Sequence, residues 1–223
     1  MSRAPALYLA RHGQTEWNLE RRLQGGRDSP LTKLGERQAK AVAASLEATV
    51  PALVLASPLG RAKKTAEIIG RALGVPIEHD PRLGEMRMGE AEGLTLAQVD
   101  AAWPGFRDER ERDKWHIRWP DGENYEDADR RIQGLVSERV LPALADAASG
   151  PLLVVGHETI NMVLLGRLLG LEPAMTMRIG QPNHVLYRVD GRRVDHAYVD
   201  DGGLDWVPGM LQKRSDEILH VAA

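Results

Sequence analysis

Residues 6–13 read Ala6-Leu7-Tyr8-Leu9-Ala10-Arg11-His12-Gly13: five apolar residues, then a guanidinium, an imidazole and a glycine. An apolar run that stops so abruptly reads as a buried strand ending in a loop. The pattern recurs twice. Ala52-Leu53-Val54-Leu55-Ala56 stops at Ser57-Pro58, and Leu152-Leu153-Val154-Val155 stops at Gly156-His157. Helical spacing fills the intervals. Thr32 can cap a helix from about Lys33 to Ala48, with Ala39, Val42, Ala43 and Leu46 on one face. Ser57-Pro58 has the form of a cap followed by a first-turn proline, opening a helix that runs to about Leu73 and stops near Gly74. Val75 to His79 reads as a short strand. Glu126 to Ala148 carries Ile132, Leu135, Val136, Val140 and Leu144 at helical spacing, and Pro142 is expected to kink or end that helix. Ile160, Val163, Leu164 and Leu168 mark a helix after His157. Val185–Val189 and Val194–Val199 form a hairpin expected to turn at Asp190-Gly191.

Strands alternating with amphipathic helices predict an α/β domain with a mostly parallel sheet flanked by helices. Ligands of such sheets bind beyond the carboxyl ends of the strands. Here those ends would carry Arg11-His12, Ser57 through Arg61, and His157, so three remote segments deliver basic or imidazole groups to one edge. Such a cluster is a trap for a phosphoryl group. Arginine makes bidentate, permanently charged hydrogen bonds to phosphate oxygens. An imidazole can attack phosphorus. The leaving alcohol needs a proton, which a carboxyl group beside a bound dianion can hold. Spacing alone leaves Glu85, Glu90 and Glu92 as candidates for that acid.

Composition narrows the classes. Of 223 residues, 29 are Lys or Arg and 32 are Asp or Glu, a net charge of −3, which argues against general nucleic-acid binding. There is no Cys, so disulfides, thiolate metal sites and a cysteine nucleophile are excluded. The apolar run at Met1 to Arg11 is too short for a signal peptide, and no run nears the roughly 20 residues that span a bilayer. The tail from Asp216 to Ala223 shows no lipidation or retention signal. A cytoplasmic protein with no membrane partner is expected.

Residues 95–124 break the alternation. They hold Trp103, Trp115, Trp119, Phe106 and the charged run Arg107 to Lys114, a pattern that fits short helices inserted as a cap over the substrate. The run reads first as a solvated, self-paired helix face, and alternatively as a contact for the far end of a substrate. The whole chain, 1–223, is expected to be one domain with this insertion.

The motifs resemble those of the histidine phosphatase superfamily, in its phosphoglycerate mutase-like branch. The resemblance rests first on Arg11-His12-Gly13-Gln14-Thr15-Glu16-Trp17-Asn18 and on Arg22-Leu23-Gln24-Gly25 with Asp28-Ser29-Pro30-Leu31-Thr32. Gly35 and Gln38-Ala39 follow, then Ser57-Pro58-Leu59-Gly60-Arg61 with Thr65-Ala66, Glu85 with Gly89 and Glu92-Gly93, and Gly156-His157. The resemblance implies His12 as the nucleophile that forms a phosphohistidine. It implies Arg11, Arg61 and His157 as phosphoryl ligands that also supply positive charge, and Glu85 as proton donor and later base. Asn18 would add a hydrogen bond to the phosphoryl group, while Thr15, Gln24 and Gly25 would line the entrance. No metal and no cofactor is implied.

The chain departs from the family pattern where Glu158-Thr159 replaces the frequent Gly-Gly after the second histidine, with Met162 in place of an arginine. Glu158 would repel a second anionic group unless it points away. Gly122-Glu123-Asn124 resembles a Gly-Glu-Ser motif, with Glu123 expected to close one side of the pocket, and Arg87 reads as either a specificity contact or a surface charge. The function expected is hydrolysis of a small phosphorylated metabolite. A mutase moving phosphate within phosphoglycerate is the nearest alternative, and a non-catalytic phosphate-binding or scaffold module the third. A homodimer is the expectation from base rates.

Overall fold

The computed structural model describes residues 6–146, 150–199, 204–213 and 218–219. Seven strands form the main sheet: β1 (Leu7–Arg11), β2 (Leu53–Ala56), β3 (Ile77–His79), β4 (Leu152–Gly156), β5 (Val185–Asp190), β6 (Arg193–Tyr198) and β7 (Val207–Pro208). Their order is β3-β2-β4-β1-β5-β6-β7. The sheet is mixed. β3, β2, β4 and β1 run parallel, and β5, β6 and β7 extend β1 in antiparallel pairs. A small antiparallel pair, β8 (Met210–Leu211) and β9 (Ile218–Leu219), stands apart.

The central strands are apolar on both faces because helices cover both. Leu7 and Leu9 of β1, Leu55 of β2, and Leu152 and Val154 of β4 join one core. Their alternates Tyr8, Ala10, Val54, Ala56, Leu153 and Val155 join the other. The second core is closed by α2 (Lys33–Ser45) and α3 (Gly60–Leu73). The first is closed by α6 (Tyr125–Leu135) and α8 (Glu158–Leu169), with α4 (Leu96–Ala102) and α5 (Phe106–Arg112) of the insertion beside them. The short helices α1 (Glu16–Leu19), α7 (Leu141–Ala145) and α9 (Pro173–Thr176) complete the set. Among the described residues no helix is long and apolar enough to cross a membrane.

Most expected elements form, with two informative differences. Thr32 caps α2 as expected, its hydroxyl accepting from Gly35 N–H at 3.0 Å. α3, however, begins at Gly60 with no side-chain cap from its own segment, so Ser57-Pro58 is not its start. The Oδ1 of Asp28 does that work from a distant loop, accepting from Arg61 N–H at 3.1 Å. The helix expected over 126–148 starts instead on an Asn124–Asp127 capping box and passes through a wide π turn at Val136–Val140. α7 then carries Pro142 in its first turn, where a missing N–H breaks no bond. Ala148, and all of the tail from Asp216 to Ala223 except Ile218 and Leu219, lie outside the described residues.

Register brings the functional strand ends level. Ala10 and Ala56 both pair with Val155, and Arg11 pairs with Gly156. His12 N–H donates to Gly156 O at 3.0 Å and Ser57 N–H to Val155 O at 3.0 Å. Arg11, His12, Ser57 and His157 therefore emerge at one height on one edge.

Candidate active site

A cavity of about 490 Å³ opens at this edge, and Arg11, His12, Asn18, Gln24, Arg61 and Glu85 all line it. Gly25 and Glu158 line it as well. His157 lies directly beneath, fully buried, with its ring centroid 5.2 Å from that of His12.

The His12 ring is set by its own neighbour. Nδ1 lies 2.8 Å from Gly13 O, and a carbonyl only accepts, so the proton sits on Nδ1 and the Nε2 lone pair is free. Burial, and then the charges of Arg11 and Arg61, hold the imidazole well below its ordinary 6.5, so it is neutral. Gly13 is required for this loop. A Cβ there would meet Gly35 O at 2.2 Å, where the loop backbone presses against the first turn of α2.

His157 is held through Ser57. Ser57 Oγ accepts from Leu59 N–H at 3.3 Å and lies 2.8 Å from His157 Nε2, and when the hydroxyl gives its hydrogen to Nε2 the ring is the Nδ1–H tautomer. Nδ1 is buried without a partner. Burial and the charge of Arg61 push this imidazole far down too. The ring is neutral in the free protein.

The two arginines are braced on one side and open on the other. Arg61 donates to Arg27 O at 2.6 Å and Gly25 O at 2.9 Å and pairs with Asp28 at 3.2 Å, while its Nε is buried and unpartnered. Arg11 donates to Gln181 O at 3.0 Å and pairs with Glu158 at 2.8 Å, and its Nε is likewise orphaned. Unpaired buried donors are uncommon because each forfeits its hydration. Three of them, on Arg11, Arg61 and His157, gather around the neutral His12.

Of the three candidates Glu85, Glu90 and Glu92, Glu85 is the one that lines the cavity. Burial raises its pKa, opposed by the Met86 N–H that donates to Oε1 at 2.8 Å and by the charges of Arg61 and Arg11. The rivals do other work. Glu90 is exposed. Glu92 accepts from Gly26 N–H at 2.8 Å and Met88 N–H at 2.9 Å, tying two loops together. The Glu85 loop is pinned by Arg131 of α6, which donates to the carbonyls of Arg82 at 2.7 Å and Gly84 at 2.6 Å. No sequence signal points to Arg131, because it lies 46 residues from Glu85 in an ordinary amphipathic helix.

Other expected residues divide. Asn18 accepts through Oδ1 from the amide and hydroxyl of Thr15 at 3.0 and 3.1 Å, which turns its amide N–H groups loose at the cavity wall. Thr15 does not line the entrance. It is fully buried as the cap of α1, its hydroxyl drawn into that capping box. Gln24 and Gly25 line the cavity. Glu158 does not point away: it lines the cavity beside Arg11, with Lys213 Nζ at 3.9 Å. Glu123 closes no wall. It accepts from Arg87 N–H at 2.8 Å and pairs with Arg131 at 3.0 Å, while the Arg87 side chain is mostly exposed. The charged run is not wholly solvated. Arg107, Arg110, Glu111 and Lys114, at helical spacing, face the cavity, and Asp108, Glu109 and Arg112 face solvent.

The chain is similar to known proteins over most of its length. Residues 7–199 match the family model described as histidine phosphatase superfamily (branch 1). A protein of Cronobacter sakazakii named probable phosphoglycerate mutase GpmB is 38% identical over 186 residues, 82% of this chain and 84% of its own. The solved structure of a mycobacterial glucosyl-3-phosphoglycerate phosphatase superposes with a TM-score of 0.76 at 33% identity, covering 94% of this chain and 99% of that one. A structure described as mycobacterial hydrolase 1 gives 0.77 at 31% identity over 96% and 100%. With the family model spanning most of the sequence and a relative this similar, the chain belongs to the histidine phosphatase superfamily.

Proposed function

We propose that the protein is a phosphomonoester hydrolase that works through a phosphohistidine on His12. The observation that carries this reading is the ring of orphaned donors on Arg11, Arg61 and His157 around a neutral imidazole whose free nitrogen faces the cavity. Those donors suit the equatorial oxygens of a phosphoryl group. Nε2 of His12 attacks phosphorus, the P–O ester bond breaks, and the leaving oxygen takes the proton of Glu85. The ring becomes cationic, and the Gly13 carbonyl facing Nδ1–H favours that form. Glu85, now a carboxylate, takes a proton from water. The water oxygen attacks phosphorus, the P–N bond breaks, and inorganic phosphate leaves with His12 neutral again. The positive charge for both steps comes from the guanidinium groups.

The name of the Cronobacter relative favours a second reading, phosphoglycerate mutase, in which the phosphoryl group passes to a second hydroxyl instead of water. The solved phosphatase neighbour favours hydrolysis. One experiment separates them. With an aryl phosphate, the protein should release inorganic phosphate, and His12→Ala should lower the rate by about three orders of magnitude or more. Persistence of hydrolysis in His12→Ala overturns the nucleophile. With 3-phosphoglycerate, release of phosphate should outrun isomerisation, and the reverse order makes the protein a mutase.

A further inference from the structure

The cavity holds a second group of buried donors that the phosphoryl site does not use. Arg110 of α5 is 7% exposed, with its guanidinium carbon 4.6 Å from the ring centroid of Trp119 and 5.5 Å from that of Tyr125. All three residues line the cavity. Stacking on aromatic faces supports the charge but leaves the in-plane N–H groups of a guanidinium uncommitted. Here Nε and Nη2 of Arg110 are buried with no hydrogen-bond partner, and so is Nε1 of Trp119.

Its surroundings supply only part of an acceptor set: the Tyr125 hydroxyl hydrogen-bonds the guanidinium and Glu111 adds its negative charge, while Nε and Nη2 stay without a partner. Three carboxylates face the cavity, and each stands beside another cation. Glu111 pairs with Lys114 at 2.5 Å, Glu158 with Arg11, and Glu85 feels Arg61 and Arg11. Elsewhere on the rim, Arg107 pairs with Asp100 at 2.7 Å and Arg22 with Glu20 at 2.5 Å. Arg61, buried as deeply as Arg110, has two carbonyls and Asp28. Arg110 is therefore built like a ligand-binding arginine without its ligand, and the insertion that supplies it is separate in sequence from every element of the phosphoryl site.

We propose that Arg110 and Trp119 form a second anion site, holding a carboxylate or a further phosphoryl group of the same molecule whose phosphoester lies on His12. The substrates are then small phosphomonoesters with two anionic groups. This deepens the phosphatase reading and rests on it.

Two ligand pairs test the proposal by calorimetry in the His12→Ala background, where nothing turns over. 3-Phosphoglycerate and glycerol 3-phosphate differ only in carboxylate against hydroxymethyl. Fructose 1,6-bisphosphate and fructose 6-phosphate differ in a second phosphoryl group. The doubly anionic member of at least one pair should bind about tenfold tighter or more, as charged hydrogen bonds allow, and the responding pair names the anion. Arg110→Met should bring that ratio close to one. Trp119→Phe keeps an aromatic face under the guanidinium but removes the N–H, and should lower the ratio part-way even if Arg110→Met fails to fold. Absence of preference in both pairs overturns the proposal, as does a ratio unchanged in the variants. Hydrolysis of an aryl phosphate by the native protein, measured alongside, reads the phosphatase assignment separately: its absence sinks that assignment without touching the binding ratio.

Discussion

Two groups that line this cavity, His12 and Glu85, are pushed in opposite directions, and chemistry at His12 draws on both shifts. Attack needs the imidazole neutral, while departure of the alcohol needs the Glu85 carboxyl protonated. At their ordinary values of 6.5 and 4.5 the two forms barely coexist, because any pH that protonates the carboxyl protonates the imidazole as well. Burial lowers the first and raises the second, so the neutral imidazole and the protonated carboxyl coexist more fully. kcat/KM for an alkyl phosphate should therefore be bell-shaped. Its acid limb, from His12, lies below 6.5, and its basic limb, from Glu85, lies above 4.5. Glu85→Gln should remove the basic limb, keep the acid one, and lower the rate by about 10²–10⁴, with a smaller loss on aryl phosphates whose leaving groups need no proton. A basic limb that survives in Glu85→Gln belongs to some other group and removes Glu85 from the role of acid.

At the scale of elements, the start of α3 links stability to the site. Its Arg61 N–H is satisfied by Asp28 from a different loop, and the same carboxylate pairs with the Arg61 side chain. This arrangement frees Ser57 to hold His157. Asp28→Ala should destabilise the protein by about 1–2 kcal/mol, mostly through the lost cap, since the half-exposed ion pair is screened. Denaturant unfolding measures the change, and a loss below roughly 0.3 kcal/mol, the cost of an ordinary surface substitution, would mean that α3 needs no cap from Asp28. The same element marks where the sequence stopped being readable. Strands β1, β2 and β4 and the residues at their ends were legible, because burial on both faces writes a continuous apolar run and the polar break after it. Ser57-Pro58 was misread, because a local cap pattern was overridden by a partner 29 residues away in the chain. Arg131 and Thr15 were missed or misassigned for a related reason. What decides them is a three-dimensional neighbour, and neither residue type nor spacing carries that. The run from Arg107 to Lys114 held both readings at once. One stripe of α5 faces the cavity and the other faces water, and composition averages the two.

For the molecule as a whole, the sheet places its most buried strands, β1 and β4, where they must present charge, and the site holds two guanidinium groups whose Nε atoms have no acceptor. An anion that satisfies the Nε atoms of Arg11 and Arg61 and Nδ1 of His157 binds only the folded chain, so folding and binding are linked. Phosphate or vanadate at 100 times its Kd should add about 2.7 kcal/mol of stability and raise Tm in proportion to the logarithm of its concentration. Chloride at matched ionic strength should not, and a Tm indifferent to phosphate would mean that these donors are not an anion site. The same three nitrogens carry a kinetic consequence. They grip the oxygens of a phosphoryl group and ignore what it is esterified to, so they hold the free phosphate released at the end of turnover much as they held the ester. The enzyme should slow as its own product accumulates, competitively with substrate, and its rate in a cell would then track the local phosphate level.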